Sequence, residues 1–185
     1  MLPPLLHATQ PGESTIETRP LRFGVELDLV QPFLPTIHII KPKVAFSLWG
    51  SPSGPRGDLI AGIYLRPHIE HDVVFTIDEY MLVAGYRQYV WRGLHAEVLL
   101  DAGLAWGTNR IDGQFYRTPT LFLEVNAGYR FGFFEPGGIV AGTGPGFFIA
   151  PQFGFLTSLG VSSIGPRGGK PDWFLQGNLL VGLAF

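Results

Sequence analysis

The sequence predicts an all-β fold, an eight-stranded antiparallel up-and-down transmembrane β-barrel behind a short N-terminal segment. Three observations carry that expectation. The first is alternation sustained over unusual lengths. In the stretch 94–134, Leu94, Ala96, Val98, Leu100, Ala102, Leu104 and Trp106 share one face of a strand, against His95, Glu97, Asp101, Gly103 and Gly107. After the polar loop 109–114, Leu121, Leu123, Val125, Ala127, Tyr129 and Phe131 oppose Glu124, Asn126, Gly128 and Arg130. Strand side chains alternate between faces, so each of these strands has one apolar and one polar side. A tilted strand needs about nine to eleven residues to cross a bilayer, roughly twice the length of ordinary soluble strands. The second observation is composition: charged residues are only 15%, aromatics reach 14% and there are 25 glycines, a profile suited to an exterior that faces lipid. The third is that no window approaches about eighteen consecutive apolar residues, which argues against a membrane helix. A membrane protein without helices has to close a barrel, because unpaired backbone groups are too costly in hydrocarbon.

Length and charge narrow the function classes. At 185 residues the chain has room for one domain, read as a flexible segment over 1–19 and a barrel over 20–185. A net charge of -2 gives no reason to expect nucleic acid as a partner. The absence of cysteine excludes disulfides and thiol catalysis. Met1 to Leu6 lacks the basic start and full apolar segment of an export signal, so the expectation is a mature or trimmed form.

The elements follow in order. Met1 to Arg19 has three prolines and no sustained period, and reads as a leader. The first strand sets Leu21, Phe23, Val25, Leu27 and Leu29 against Arg22, Gly24, Glu26 and Asp28. A short turn over Gln31 to Thr36 leads to a second strand, Ile37 to Trp49, with Val44, Phe46 and Leu48 outward and Lys41, Lys43, Ala45 and Ser47 inward. Pro42 weakens its first half, since proline cannot donate to the ladder. Ser51 to Gly57 is a turn, followed by a third strand with Leu59, Ala61, Ile63 and Leu65 outward and Gly62, Tyr64, Arg66, His68 and Glu70 inward. His71 and Asp72 mark a tight reversal. The fourth strand, Val73 to Tyr86, sets Tyr80, Leu82, Ala84 and Tyr86 outward against Glu79, Met81, Val83, Gly85 and Arg87, which leaves Asp78 outward and near an interface. The fifth and sixth strands are those of 94–134. Phe134 to Gly146 reads as a long turn, and the seventh strand carries Phe147, Ile149, Phe153, Phe155 and Leu159 outward. Gln152, Gly154 and Ser158 face inward there. A Gly/Pro loop over Ser162 to Asp172 precedes a final strand with Trp173, Leu175, Gly177, Leu179, Val181, Leu183 and Phe185 outward. The even strand count returns both termini to one side.

Two internal cues bear on register and kinship. Ala84-Gly85-Tyr86-Arg87 recurs as Ala127-Gly128-Tyr129-Arg130, which would set both tyrosines in one aromatic girdle and both arginines in the lumen. With Phe185 closing an alternating strand and Trp173 at its other end, the chain from Leu21 to Phe185 resembles small bacterial outer-membrane β-barrel proteins of the OmpA/OmpX/OmpW-like type. The resemblance implies residence in a Gram-negative outer membrane, contact with outer-membrane lipid, and recognition of the Phe185 strand by the outer-membrane assembly machinery. It brings no catalytic residues and no cofactor. The short loops expected at 31–36 and 70–72 depart from adhesin and receptor members and speak against a large extracellular binding surface.

Inward-facing charges nearly cancel: Arg22, Lys41, Lys43, Arg66, Arg87 and Arg130 against Glu26, Asp28, Glu70, Glu79, Glu97, Asp101 and Glu124. An eight-stranded barrel is just wide enough for side chains to fill, so these groups are expected to pair across the lumen and plug it, with a narrow ion or proton path as the sharper reading. His68, Glu70, His71 and Asp72 form the one cluster with metal-ligand residue types, but no ligand from a second strand accompanies them, which favours a polar barrel mouth. His95 beside Glu97 or Asp101 has no neighbouring nucleophile and belongs to the same luminal network. A lipid hydrolase would need a serine near a histidine and an acid, yet Ser47 and Ser158 face the lumen and no serine adjoins a histidine. The glycine-rich stretches 142–146 and 165–169 lead into no helix and are not phosphate loops.

The expectation is a non-enzymatic barrel with a structural role, or an accessory subunit of a larger outer-membrane complex. The alternatives are a small pore for small solutes, a soluble lipocalin-like barrel with its apolar face inward, and a lipid-modifying hydrolase.

Overall fold

The computed structural model describes residues 22–34, 38–50, 55–69, 74–135, 138–141, 145–159 and 173–185. The leader expected over 1–19 lies outside them, as do Glu70, His71, Asp72 and the loop 162–172. Ten strands occur in chain order: β1 (Phe23–Asp28), β2 (Pro42–Gly50), β3 (Arg56–Ile69), β4 (Val74–Trp91), β5 (Leu94–Asn109), β6 (Phe115–Tyr129), β7 (Phe131–Glu135), β8 (Gly138–Ala141), β9 (Gly146–Ser158) and β10 (Trp173–Ala184). All pairings are antiparallel, and β10 pairs with both β9 and β1, so β1–β6, β9 and β10 form a closed eight-stranded barrel. Closure leaves no free edge running the length of the sheet. Strands β3 to β6 are 14, 18, 16 and 15 residues long, enough for a tilted strand to traverse a bilayer.

The alternation sorts the faces as the sequence suggests. Along β5, His95, Glu97, Leu99 and Asp101 are buried while Leu94, Ala96, Val98 and Leu100 are exposed. Leu82, Phe153 and Leu183 lie exposed on the outside of other strands, whereas Glu26, Lys43, Arg87 and Glu124 are buried. Luminal apolar residues are few and pack between the charged groups: Ile60, Tyr64, Met81, Val83, Leu99 and Phe122 form one cluster, and Phe148, Ala150 and Leu180 another. Glycines on the inner face make room for them. A Cβ on Gly154 would lie 2.1 Å from the Val125 carbonyl oxygen and 2.3 Å from Asn126 Oδ1.

Four local expectations change. β2 starts at Pro42, not Ile37, because proline fits a strand at its first position, where the missing donor is harmless. The turn expected over 31–36 holds a 3-10 turn, Gln31–Phe33, and before β2 there is one isolated bridge between Ile40 and Leu65. β4 runs on to Trp91, so Tyr86 sits within its strand opposite Val98, while Tyr129 ends β6 opposite Leu94. The two Ala-Gly-Tyr-Arg motifs therefore stand at different heights. The long turn expected from Phe134 contains β8, which pairs with β7, and β7 continues the line of β6 along β9.

Candidate functional site

The polar faces of all eight barrel strands converge on the barrel axis, and the interior is organised in layers. The central layer joins β1, β2, β4 and β5. Arg87 donates from Nη1 and Nη2 to the two Glu26 oxygens at 2.9 and 2.6 Å, and from Nε to Glu97 Oε2 at 2.6 Å. Lys43 Nζ lies 3.0 Å from Glu97 Oε1 and 3.2 Å from Glu26 Oε1. Two cations thus meet two carboxylates, with each side chain no more than 3% accessible. Taking an ion out of water costs several kcal/mol after relaxation, and reciprocal pairing with bidentate geometry is what offsets that cost.

A second layer lies further from Phe23 and Phe185. Lys41 Nζ contacts Asp101 Oδ2 at 2.7 Å and also Glu124 Oε1. Gln176 donates to Glu124 at 3.3 Å and to Asn126 at 3.1 Å, and Gln31 reaches Gln176 at 3.3 Å. Above it, Glu79 accepts from the Tyr64 hydroxyl and from Arg66 Nη1, both at 3.1 Å. At the end holding Phe23 and Phe185, Arg56 pairs with Asp58 at 2.9 Å and its guanidinium lies 4.4 Å from the centre of the Tyr89 ring. Ser47 donates to Asp58 at 2.9 Å, and Arg130 stacks over Phe148 at 4.0 Å.

Of the residues expected in the lumen, those whose side chains the structure describes have definite places. Glu26, Arg87, Glu97, Asp101, Glu124, Arg66 and Glu79 join the ion pairs just described. Asp28 is held instead by backbone N–H groups, Val30 N at 2.8 Å and Leu179 N at 3.2 Å. Arg22 is half-buried at the terminal rim, lining a small pocket with Arg56, Arg87 and Arg130. Phe185, expected as the assembly signal, stacks on Phe23 at 6.0 Å, and their backbones exchange hydrogen bonds. His95 bonds through Nδ1 to the Gly93 carbonyl and through Nε2 to Gln152, both at 2.9 Å. Ser158 is buried on the inner face of β9. Of the metal-type cluster, His68 falls in β3 and Glu70, His71 and Asp72 lie outside the described residues. No group of three metal-ligand side chains converges among the described residues.

Sequence reasoning left out Arg56 and Asp58, assigning Arg56 to a turn although the inward period of β3 extends back through both. It also left Gln31 in a turn, whereas its buried amide enters the luminal network. Compared with protein-family models, with curated proteins and with solved structures, the chain gives no match.

Proposed function

We propose that the chain is a membrane-embedded β-barrel of the bacterial outer membrane with a sealed lumen, serving a structural role or acting as an accessory subunit of a larger membrane complex. One observation carries the reading: the accessible wall is apolar while the ionised groups are enclosed. Val25, Leu59, Ile63, Leu82, Val98, Leu100 and Leu183 are exposed on the wall, and Glu97 and Asp101 have no accessible surface. A ligand-carrying soluble barrel would have the reverse arrangement. Aromatic residues flank the apolar zone at both ends, as in membrane barrels. Trp49, Tyr86, Phe23, Phe46 and Phe185 gather toward one end, with Trp49 Nε1 donating to the Tyr86 hydroxyl at 3.0 Å. Tyr80 stacks on Trp106 and Phe155 packs on Trp173 toward the other end.

A wall of this kind is stable only against hydrocarbon or another apolar surface. Patches larger than a few hundred Å² are rare on soluble monomers. The paired charges that fill the axis favour this reading over a pore. Serine chemistry has no support in the luminal geometry either, since Ser47 serves as a donor to Asp58 and His95 is engaged by Gly93 and Gln152. The test is two-part. Expressed in a Gram-negative host, the chain is expected in the outer-membrane fraction, extracted by detergent and not by salt or alkali. Reconstituted in planar bilayers, it is expected to give no steady current. Release into detergent-free buffer would refute membrane residence, and a stable unitary conductance would refute the sealed lumen.

A further inference from the structure

The charges of the luminal layers balance everywhere but around Lys41. In the central layer two cations meet two carboxylates, Arg66 meets Glu79, and Arg56 meets Asp58. The Lys41 layer sets a single ammonium against two acids, with Nζ 2.7 Å from Asp101 Oδ2 and also in contact with Glu124 Oε1. All three side chains are at most 4% accessible. Because both carboxyl groups touch one nitrogen, they lie within the roughly 4–6 Å over which one carboxylate opposes the ionisation of another.

Among the described residues, the cations on the surrounding strands are engaged with other acids. Lys43 of β2 and Arg87 of β4 both hold Glu97 of β5 and Glu26 of β1. Arg66 of β3 lies 3.1 Å from Glu79 of β4. Tyr64, also of β3, presents its ring 5.0 Å from Lys41 Nζ and gives its hydroxyl to Glu79. Asp28 of β1 is a further acid, held by backbone N–H groups. β9 sets Leu156 opposite Glu124, and β10 brings the neutral amide of Gln176. The two acids are unequally served. Glu124 accepts from Gln176 at 3.3 Å as well as from Lys41, whereas Asp101 Oδ1 is buried without a hydrogen-bond partner among the described residues. A bare carboxylate oxygen out of water is costly, and a buried acid without a counter-charge of its own neutralises by keeping a proton.

We propose that Asp101 and Glu124 hold one proton between them, a proton-binding site at the level of Lys41 inside the barrel, with Asp101 Oδ1 the oxygen open to it. One ammonium and one proton then offset two carboxylates, and the layer is as neutral as those beside it. Groups coupled this closely titrate as a pair, so the proton belongs to the site and not to either acid alone. Folding takes the proton up from solution, because in the unfolded chain both acids are hydrated and ionised at neutral pH. Where the folded chain binds one proton more than the unfolded one, stability falls as pH rises, and it levels off once the folded site gives the proton up. The interior plug is thereby strengthened by acid and loosened by alkali. The site rests on the burial of the layer and not on where the barrel resides.

The test is infrared difference spectroscopy of the full chain in lipid vesicles at neutral pH, with wild type compared against Asp101→Asn and Glu124→Gln. Wild type is expected to show the carbonyl band of a protonated carboxyl, shifted after refolding in deuterium oxide. Each substitution should remove it, because the acid left behind has Lys41 to itself and ionises. Glu124→Gln supplies the comparison if Asp101→Asn does not fold, and Asp112→Asn in the exposed β5–β6 loop should leave the band in place. Raising the pH should remove the wild-type band in a single step. Below that step the urea midpoint of wild type should fall with rising pH more steeply than that of Asp101→Asn, whose amide stands in for the protonated acid. Difference spectra with carboxylate bands alone would mean that both acids are ionised around Lys41, and a protonated band that survives both substitutions would belong to another group. Either result overturns the site, as would an equal pH dependence in the two proteins.

Discussion

Glu97 and Arg87 show how much rests on single luminal side chains. Glu97 serves both Arg87 and Lys43, and Arg87 bridges Glu97 to Glu26 across the barrel. Glu97→Ala leaves two buried cations with one carboxylate, and removal of one partner of a buried pair typically costs about 3–5 kcal/mol. The variant is expected to lose roughly that much stability, read from urea unfolding in lipid vesicles; a loss below about 1 kcal/mol would show that water reaches the layer and screens it. Asp112 is the contrast. It sits in the β5–β6 loop, accepts from the Tyr116 hydroxyl and from Gln114 N at 2.9 Å, and its carboxyl is thereby held below the usual range. A depressed carboxyl stabilises above its unfolded value and loses that contribution as pH falls through the folded one. Because Asp112 is fully exposed, water screens the effect, and Asp112→Asn is expected to leave the unfolding midpoint and its acid dependence unchanged.

At the scale of the strand, the two faces have opposite tolerances. Leu82 on the outside of β4 is 73% exposed, a position where water would accept an arginine with little effect. Against hydrocarbon the same substitution costs about 2–4 kcal/mol at the bilayer midplane. Leu82→Arg is therefore expected to destabilise the chain in vesicles by that amount, while Ile111→Arg in the β5–β6 loop, 75% exposed, stays within about 0.5 kcal/mol. Equal, small effects at both would mean that the wall is wetted. On the inner face the limit is space. Gly154→Ala pushes a methyl against the Val125 carbonyl, backbone that cannot turn aside, and overpacking of this kind costs about 1–3 kcal/mol. Thermal unfolding of the folded band on unboiled gels measures it. The period of two made both faces of β5 and β6 legible in advance. It did not reveal β8, because a glycine-dense stretch reads as a turn until a neighbouring strand supplies its hydrogen bonds.

For the whole molecule, closure is the step on which the rest depends. β1 meets β10 through Gly24 and Ala184, partners from opposite ends of the chain, and both β1 and β9 lose a neighbour if β10 is missing. Deleting residues 173–185 exposes two strand edges along the barrel and opens the charged interior. The truncated chain is expected to lose protease resistance and aggregate. A folded, protease-resistant product would mean that the sheet is stable open. Pairing of such distant segments also makes folding slow relative to local hairpins.

What the sequence determined by itself is which residues face in and which face out, since alternation along one strand is a local property of the backbone and needs no knowledge of neighbours. It determined too that the inward charges nearly balance. Only the tertiary structure decided who pairs with whom: Arg87 finds Glu26 at a separation of 61 residues, Lys41 finds Glu124 at 83, and Asp28 turns to backbone groups. Those partnerships depend on the stagger between strands and on the closure of the barrel, which set the height of each side chain along the axis. The uneven pairing of β10, which meets β9 along its length but β1 only from Leu180 to Ala184, has the same origin, because it is set only once the lengths of adjacent strands are laid against one another.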